Sequence, residues 1–183
     1  MSERIKVGIT HGDLNGVGYE IILKAFSDNR LQEIFTPVIY GSAKAASYYK
    51  KVLDYKPVPF NFINKAEECK DGEINFVNCV KEEVKIDMGM PTEAAGEAAF
   101  CALDCAVNDL AAKKIDVLVT LPICKDTIQS KKFHFPGHTE FLQDRFSKNG
   151  NEALMIMASD FLRIALVTTH MPLSEVPKNI SKE

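Results

Sequence analysis

The sequence predicts an α/β protein, layered α/β/α around a mixed, mostly parallel sheet. Two observations carry the parallel part. β-branched runs alternate with helical patterns from the beginning of the chain, as in successive βα units. The run IDVLVT at 115–120 is apolar almost throughout, as strands are when a parallel sheet is covered on both faces. A third observation makes the sheet mixed: two late strand patterns are separated by a hairpin-length connection.

The elements follow in order. RIKVGIT (4–10) is a short β-branched strand, and the glycine-bearing GDLNGVGYE leads from it into the apolar-rich helix YEIILKAF. TPVIYGS (36–42) repeats the strand, and AKAASYYKKVLDY repeats the helix with apolar and aromatic positions three and four residues apart. FNFIN and EINFVNCV are further strands on either side of the charged, helix-compatible KAEECKDG, and EEVKIDMGMPT is an irregular connection. The strongest helix covers 92–113, where Leu103, Val107 and Leu110 recur at helical spacing among alanines. It is expected to be buried against a sheet or a partner. The strand at 115–120 delivers TLPICK at its carboxyl end. A helix then starts at Thr139, and ALMIMA (153–158) and FLRIALVTT (161–169) pair through a turn at Ser159 and Asp160. The tail HMPLSEVPKNISKE carries helix-opening signals at Ser174 and Pro177.

Composition narrows the function classes. The 183 residues, 46% of them hydrophobic, suffice for a substantial core. The net charge of −3, with both signs interspersed, predicts no nucleic-acid footprint and no polybasic membrane patch. MSERIKVGIT places charges where a signal peptide needs an apolar core, and no run reaches the roughly 18 apolar residues of a membrane span. A cytoplasmic protein is expected. The five cysteines (Cys69, Cys79, Cys101, Cys105, Cys124) show no CxxC spacing and read as reduced thiols. Cys101 and Cys105 share a helix face, but a soft-metal site needs two more ligands.

Four stretches could carry chemistry. Gly12, Gly16 and Gly18 stand between a strand and a helix, where backbone amides can cradle an anion. Their GxxxGxG spacing is neither a dinucleotide nor a Walker fingerprint, and a tight turn with close helix packing explains it as well. Lys125 in TLPICK stands where open α/β sheets place ligands, either as a contact for phosphate or carboxylate or as a solvated lysine. In HFPGHTEFL, Pro136 and Gly137 turn the chain and Thr139 is a suitable N-cap, so His138 precedes a helix start with its ring free to reach a cleft or the surface. His134, between Phe133 and Phe135, is the poorer candidate. His170, at the end of an apolar strand in VTTHMPL, is placed to ligate a divalent metal, though one histidine does not make a site.

Together, ITHGDLNGVGYE, TLPICK, GHTE and TTHMPL resemble the N-terminal part of the 4-hydroxythreonine-4-phosphate dehydrogenase (PdxA) family, whose pattern includes ITxGDPxGIGPE, TxPxxK, GHTE and TTHxPL. The resemblance runs from residue 5 to about 177. It implies a fold like that of isocitrate and isopropylmalate dehydrogenases, with residues 1–183 as the N-terminal part of a two-domain subunit. It also implies a homodimer acting in pyridoxal phosphate (vitamin B6) biosynthesis. The implied reaction oxidises the secondary alcohol of 4-phosphohydroxy-L-threonine with NAD or NADP and a divalent metal (Zn, Mg or Co), then decarboxylates the product to 3-amino-2-oxopropyl phosphate. By resemblance His138 and Thr139 bind the small phosphorylated substrate, His170 is one of three metal histidines, and Lys125 adds charge. No residue is assigned to the cofactor. Two further readings stand beside this one: a dehydrogenase of threonate or erythronate 4-phosphate, and an inactive binding or dimerisation module. The sequence departs from the pattern at His11, Leu14 and Tyr19, which predicts a different rim to the cleft.

Overall fold

The structure, a computed structural model, describes residues 4–53, 55, 58–80, 84–147 and 153–180. The chain divides into two compact units, Met1–His138 and Thr139–Glu183.

The first unit is built on five parallel strands: β1 (Lys6–Thr10), β2 (Thr36–Gly41), β3 (Phe60–Ile63), β4 (Ile74–Asn78) and β5 (Val117–Thr120), in the order β3-β4-β2-β1-β5. Val7 stands opposite Pro37 on one side and Val117 on the other. Helices α1 (Gly18–Ala25), α3 (Ala43–Val52) and α4 (Glu93–Ala111) follow the pattern read from sequence. A short α2 (Arg30–Ile34) was not anticipated; it has no buried side chain, so no apolar periodicity marked it. KAEECKDG forms only a 3-10 turn, Ala66–Glu68. Residues 84–91 are irregular as expected, and residues 82 and 83 of that stretch lie outside the described residues.

Alternation along the central strands splits the core in two. Ile39 of β2 joins Val7, Ile9, Ile74 and Phe76 beneath Tyr19, Ile22 and Leu23 of α1 and Ala45, Ala46 and Tyr49 of α3. Val38 and Tyr40 point the other way, to Val77, Ile115 and Ala102 and Ala106 of α4. This is the layered α/β/α arrangement. Each fully buried Ile, Leu or Phe in it contributes about 2 kcal/mol of transfer free energy. Thr92 caps α4 through its side chain, accepting from Ala95 N at 3.3 Å. Ala95, Ala98, Ala99, Ala102 and Ala106, with Leu103 and Val107, face the chain's own core, so packing within the unit accounts for the small-residue stripe.

β5 departs from expectation. It is the last strand of the sheet, and Val117 and Val119 are each 45% exposed, so among the described residues only one face of this apolar run is covered.

In the second unit, α5 (His138–Phe146) starts at the final residue of the first unit. β6 (Ile156–Ala158) and β7 (Arg163–Ala165) form the expected antiparallel hairpin, closed by Ser159 N donating to Leu162 O at 2.8 Å. It makes a separate two-stranded sheet and leaves the five-stranded one purely parallel, so the two sheets together account for the mixed pattern. Each strand keeps only three residues, in keeping with the weak support that two strands alone provide. The helix signals at Ser174 and Pro177 correspond to a 3-10 segment, Leu173–Lys178. No helix among the described residues is long and apolar enough to cross a membrane.

Candidate functional site

β1 lies between β2 and β5, so the connections leave it in opposite directions. At such a reversal the loops part beyond the carboxyl ends of the strands and leave a ligand crevice. Here the loop after β1 (11–17) meets the loop after β5 (121–125): Asp13 N donates to Pro122 O at 2.8 Å. Gly12 makes this approach possible, with φ of +72° and no room for a Cβ, which would stand 2.3 Å from Pro122 O. Gly18 faces the His11 carbonyl oxygen, 1.8 Å from where its Cβ would be. Turn geometry and close packing thus account for these two glycines without an anion.

Asn15 fixes the loop and is the residue that sequence reading missed. Its buried side chain donates from Nδ2 to Met90 O (2.9 Å) and Thr92 Oγ1 (3.0 Å) and accepts from Asp87 N (3.0 Å). Its backbone oxygen accepts from Gly89 N at 2.8 Å. One amide therefore joins the glycine loop to the connection preceding α4. An Asn in a glycine-rich loop reads as turn chemistry, and only the fold reveals its distant partners.

The three departures from the family pattern converge beneath this loop rather than on the rim. His11, Leu14 and Tyr19 are all fully buried. The His11 ring stacks on Tyr19, which stacks in turn on Tyr49, and the Tyr49 hydroxyl donates to Leu14 O at 2.9 Å. Tyr19 Oη accepts from Ser42 N (2.8 Å) and donates to Ser42 O (3.0 Å). Neither His11 ring nitrogen has a hydrogen-bond partner of good geometry, and burial pushes the imidazole down to about 4, opposed only by the Ala98 backbone.

Lys125 is exposed just beyond β5, and among the described residues its ammonium has no ion-pair partner. Beside it the Cys124 thiol is drawn below its usual range, first by the Thr127 hydroxyl and then by backbone amides, with the Asp13 carboxylate opposing.

The loop leading to His138 is anchored by Phe133, which is fully buried, exchanges backbone hydrogen bonds with Ser130 and sets its ring edge-on to Phe100. His134 is exposed and stacked on Phe135. His138 is half-buried, its Nε2 is buried without a partner, and burial lowers its pKa, which favours the neutral ring. α5 begins at His138 itself, so Thr139 stands exposed in the first turn instead of serving as N-cap.

In the second unit His170 is exposed, with φ of 55°, in the segment between β7 and the 3-10 turn. β7 ends at Ala165, so His170 does not close a strand as the apolar run suggested. Among the described residues no group of three His, Cys, Asp or Glu is arranged around a metal position.

The fold is that of the isocitrate dehydrogenase-like α/β dehydrogenases. It superposes on the crystal structure of a 4-hydroxythreonine-4-phosphate dehydrogenase from Burkholderia phymatum with a TM-score of 0.84, at 26% identity over 97% of this chain and 53% of that one. The family model described as pyridoxal phosphate biosynthetic protein PdxA matches residues 33–183, and the chain belongs to that family. A relative named 4-hydroxythreonine-4-phosphate dehydrogenase, from Bacteroides thetaiotaomicron, is 48% identical over 98% of this chain and 49% of its own length. Another from Cupriavidus necator, named D-threonate 4-phosphate dehydrogenase, is 28% identical over 95% of this chain and 52% of its own. The chain spans about half the length of the curated relatives it matches.

Proposed function

We propose that this chain supplies the substrate-binding side of a 4-hydroxythreonine-4-phosphate dehydrogenase of pyridoxal phosphate biosynthesis, working as a cytoplasmic homodimer. In the reaction, the secondary alcohol of 4-phosphohydroxy-L-threonine gives up a hydride and a proton, and the resulting β-keto acid loses carbon dioxide to leave 3-amino-2-oxopropyl phosphate. When bound, a nicotinamide (NAD or NADP) would accept the hydride, and a divalent metal (Zn, Mg or Co) held in part by His170 would polarise the substrate oxygens.

The observation that carries this reading, beside family membership, is the buried Nε2 of His138. An unpartnered polar atom out of water costs about 1–3 kcal/mol, which a substrate oxygen would offset by completing the hydrogen bond. The neutral ring can donate or accept at that atom, and so can orient a hydroxyl or a carboxylate. The exposed Thr139 hydroxyl lies next in the chain, Lys125 offers a point charge for a phosphate or carboxylate, and His170 offers one metal ligand.

The name of the Cupriavidus necator relative favours a second reading, oxidation of a threonate 4-phosphate, which lacks the amino group. Assaying nicotinamide reduction with 4-phosphohydroxy-L-threonine and with D-threonate 4-phosphate, each with NAD and NADP, separates the two. Turnover of the amino substrate alone supports the first reading. No reduction with either substrate, by folded protein supplied with metal, leaves the non-catalytic binding module.

A further inference from the structure

In the first unit a cleft of about 540 Å³, the size of a small-molecule site, lies between the first turns of α4 and residues 127–132. Its walls meet at Gly96, where a Cβ would stand 1.9 Å from Thr127 O, so only a bare backbone lets the two segments touch. Phe100 of α4, edge-on to the buried Phe133, steadies the helix wall. The lining includes no residue of 11–17 or 121–125, so the cleft is separate from the crevice at the carboxyl ends of β1 and β5.

Charge divides between the two walls. Glu93 and Glu97 stand one helical turn apart on α4, and Lys131 and Lys132 stand on the other wall. All four are exposed, and among the described residues none of them is in an ion pair, so the opposite charges line one cleft without closing on each other. Val80, Ala98 and Ile128, all buried, supply an apolar surface in the same cleft.

We propose that this cleft is a second small-molecule site, which takes a zwitterion with an apolar body, such as an apolar α-amino acid. The ligand's ammonium meets Glu93 and Glu97, its carboxylate meets Lys131 and Lys132, and its side chain covers Val80 and Ile128. One exposed ion pair contributes little, but a ligand that spans both walls makes two and buries apolar area as well. A molecule that lacks either charge leaves one wall unanswered. Gln129, also in the lining, donates from Nε2 to Lys125 O (3.1 Å) and Phe135 O (3.0 Å), so the wall that the ligand seats on also holds the segments that carry Lys125 and lead to His138.

The test is an NMR titration of the folded protein with L-phenylalanine, beside phenylpropionate, which lacks the ammonium, and phenethylamine, which lacks the carboxylate. L-Phenylalanine should give saturable amide shifts at the start of α4 and in residues 127–135, with a Kd of about 1 mM. Each of the two analogues should bind about 10-fold more weakly. Replacing both acids, Glu93→Gln with Glu97→Gln, should weaken L-phenylalanine about 10-fold without weakening phenylpropionate. The proposal is overturned by an absence of saturation up to about 10 mM, by shifts that avoid both walls, or by equal binding of the three probes. The wild-type titrations alone decide between these outcomes, so a failure of the double variant to fold leaves the test intact.

Discussion

The His11 imidazole lies on the Tyr19 ring with centroids 5.3 Å apart and planes 18° from parallel. Both are fully buried and both depart from the family pattern, so the two substitutions form one packing unit. Tyr19 contributes its hydroxyl to Ser42, whereas neither His11 nitrogen has a hydrogen-bond partner of good geometry and the ring stays neutral.

That neutrality makes stability depend on pH. The unfolded-chain histidine titrates near 6.5 and the folded one near 4, so the native state binds the proton less well. The His11 contribution is complete above about pH 6.5 and is lost as the pH falls toward 4, by about 3 kcal/mol in all. Urea denaturation from pH 7 to 4 should show the decline, and His11→Leu should flatten it. A variant that declines in parallel with the wild type would assign the effect to other groups.

Tyr19→Phe keeps the stacked ring but leaves Ser42 N and Ser42 O without their buried partner. A destabilisation of about 2 kcal/mol is expected in denaturant titration. An unchanged midpoint would show that water replaces the hydroxyl.

Asn15→Asp preserves shape but replaces the Nδ2 donor facing Met90 O and Thr92 Oγ1 with an acceptor. About 3 kcal/mol of stability should be lost, with faster amide exchange at Asp87 and Gly89, which donate to this residue. Exchange that speeds up uniformly across the first unit would contradict the local role.

At the proposed substrate contacts, His138→Asn should lower kcat/KM for 4-phosphohydroxy-L-threonine about 100-fold, because Asn does not place a polar atom where Nε2 stands. Lys125→Ala should act mainly on KM, by about 10-fold, as loss of one charged contact does. Equal activity of wild type and His138→Asn would remove His138 from the site.

Much of the fold was legible because period and punctuation agree. β1, β2 and β4 are runs with turn residues at their ends, and α4 has Thr92 at its start and Leu103 and Val107 on one stripe. The exposure of β5 was not legible, because an apolar run is the same string at the centre of a sheet or at its edge. The helix start slipped by one residue: GHTE presents Thr139 as a cap, yet the backbone already turns helical at His138. Family motifs nominated the candidate site residues, and the role proposed for His138 takes its physical reason from its buried nitrogen. Asn15 stayed hidden because its partners come from other parts of the chain, and the stacking of His11 on Tyr19 because sequence does not show that both rings turn inward.

Asn15 also bears on the order of folding. Its side-chain bonds to Asp87, Met90 and Thr92 close over 72 to 77 residues of chain. Contacts of such high sequence separation cannot reward the chain until the intervening strands have paired. The glycine loop should therefore set late, after β2 has paired with β1 and β4 with β2, and Asn15→Asp should speed unfolding while leaving the refolding rate nearly unchanged.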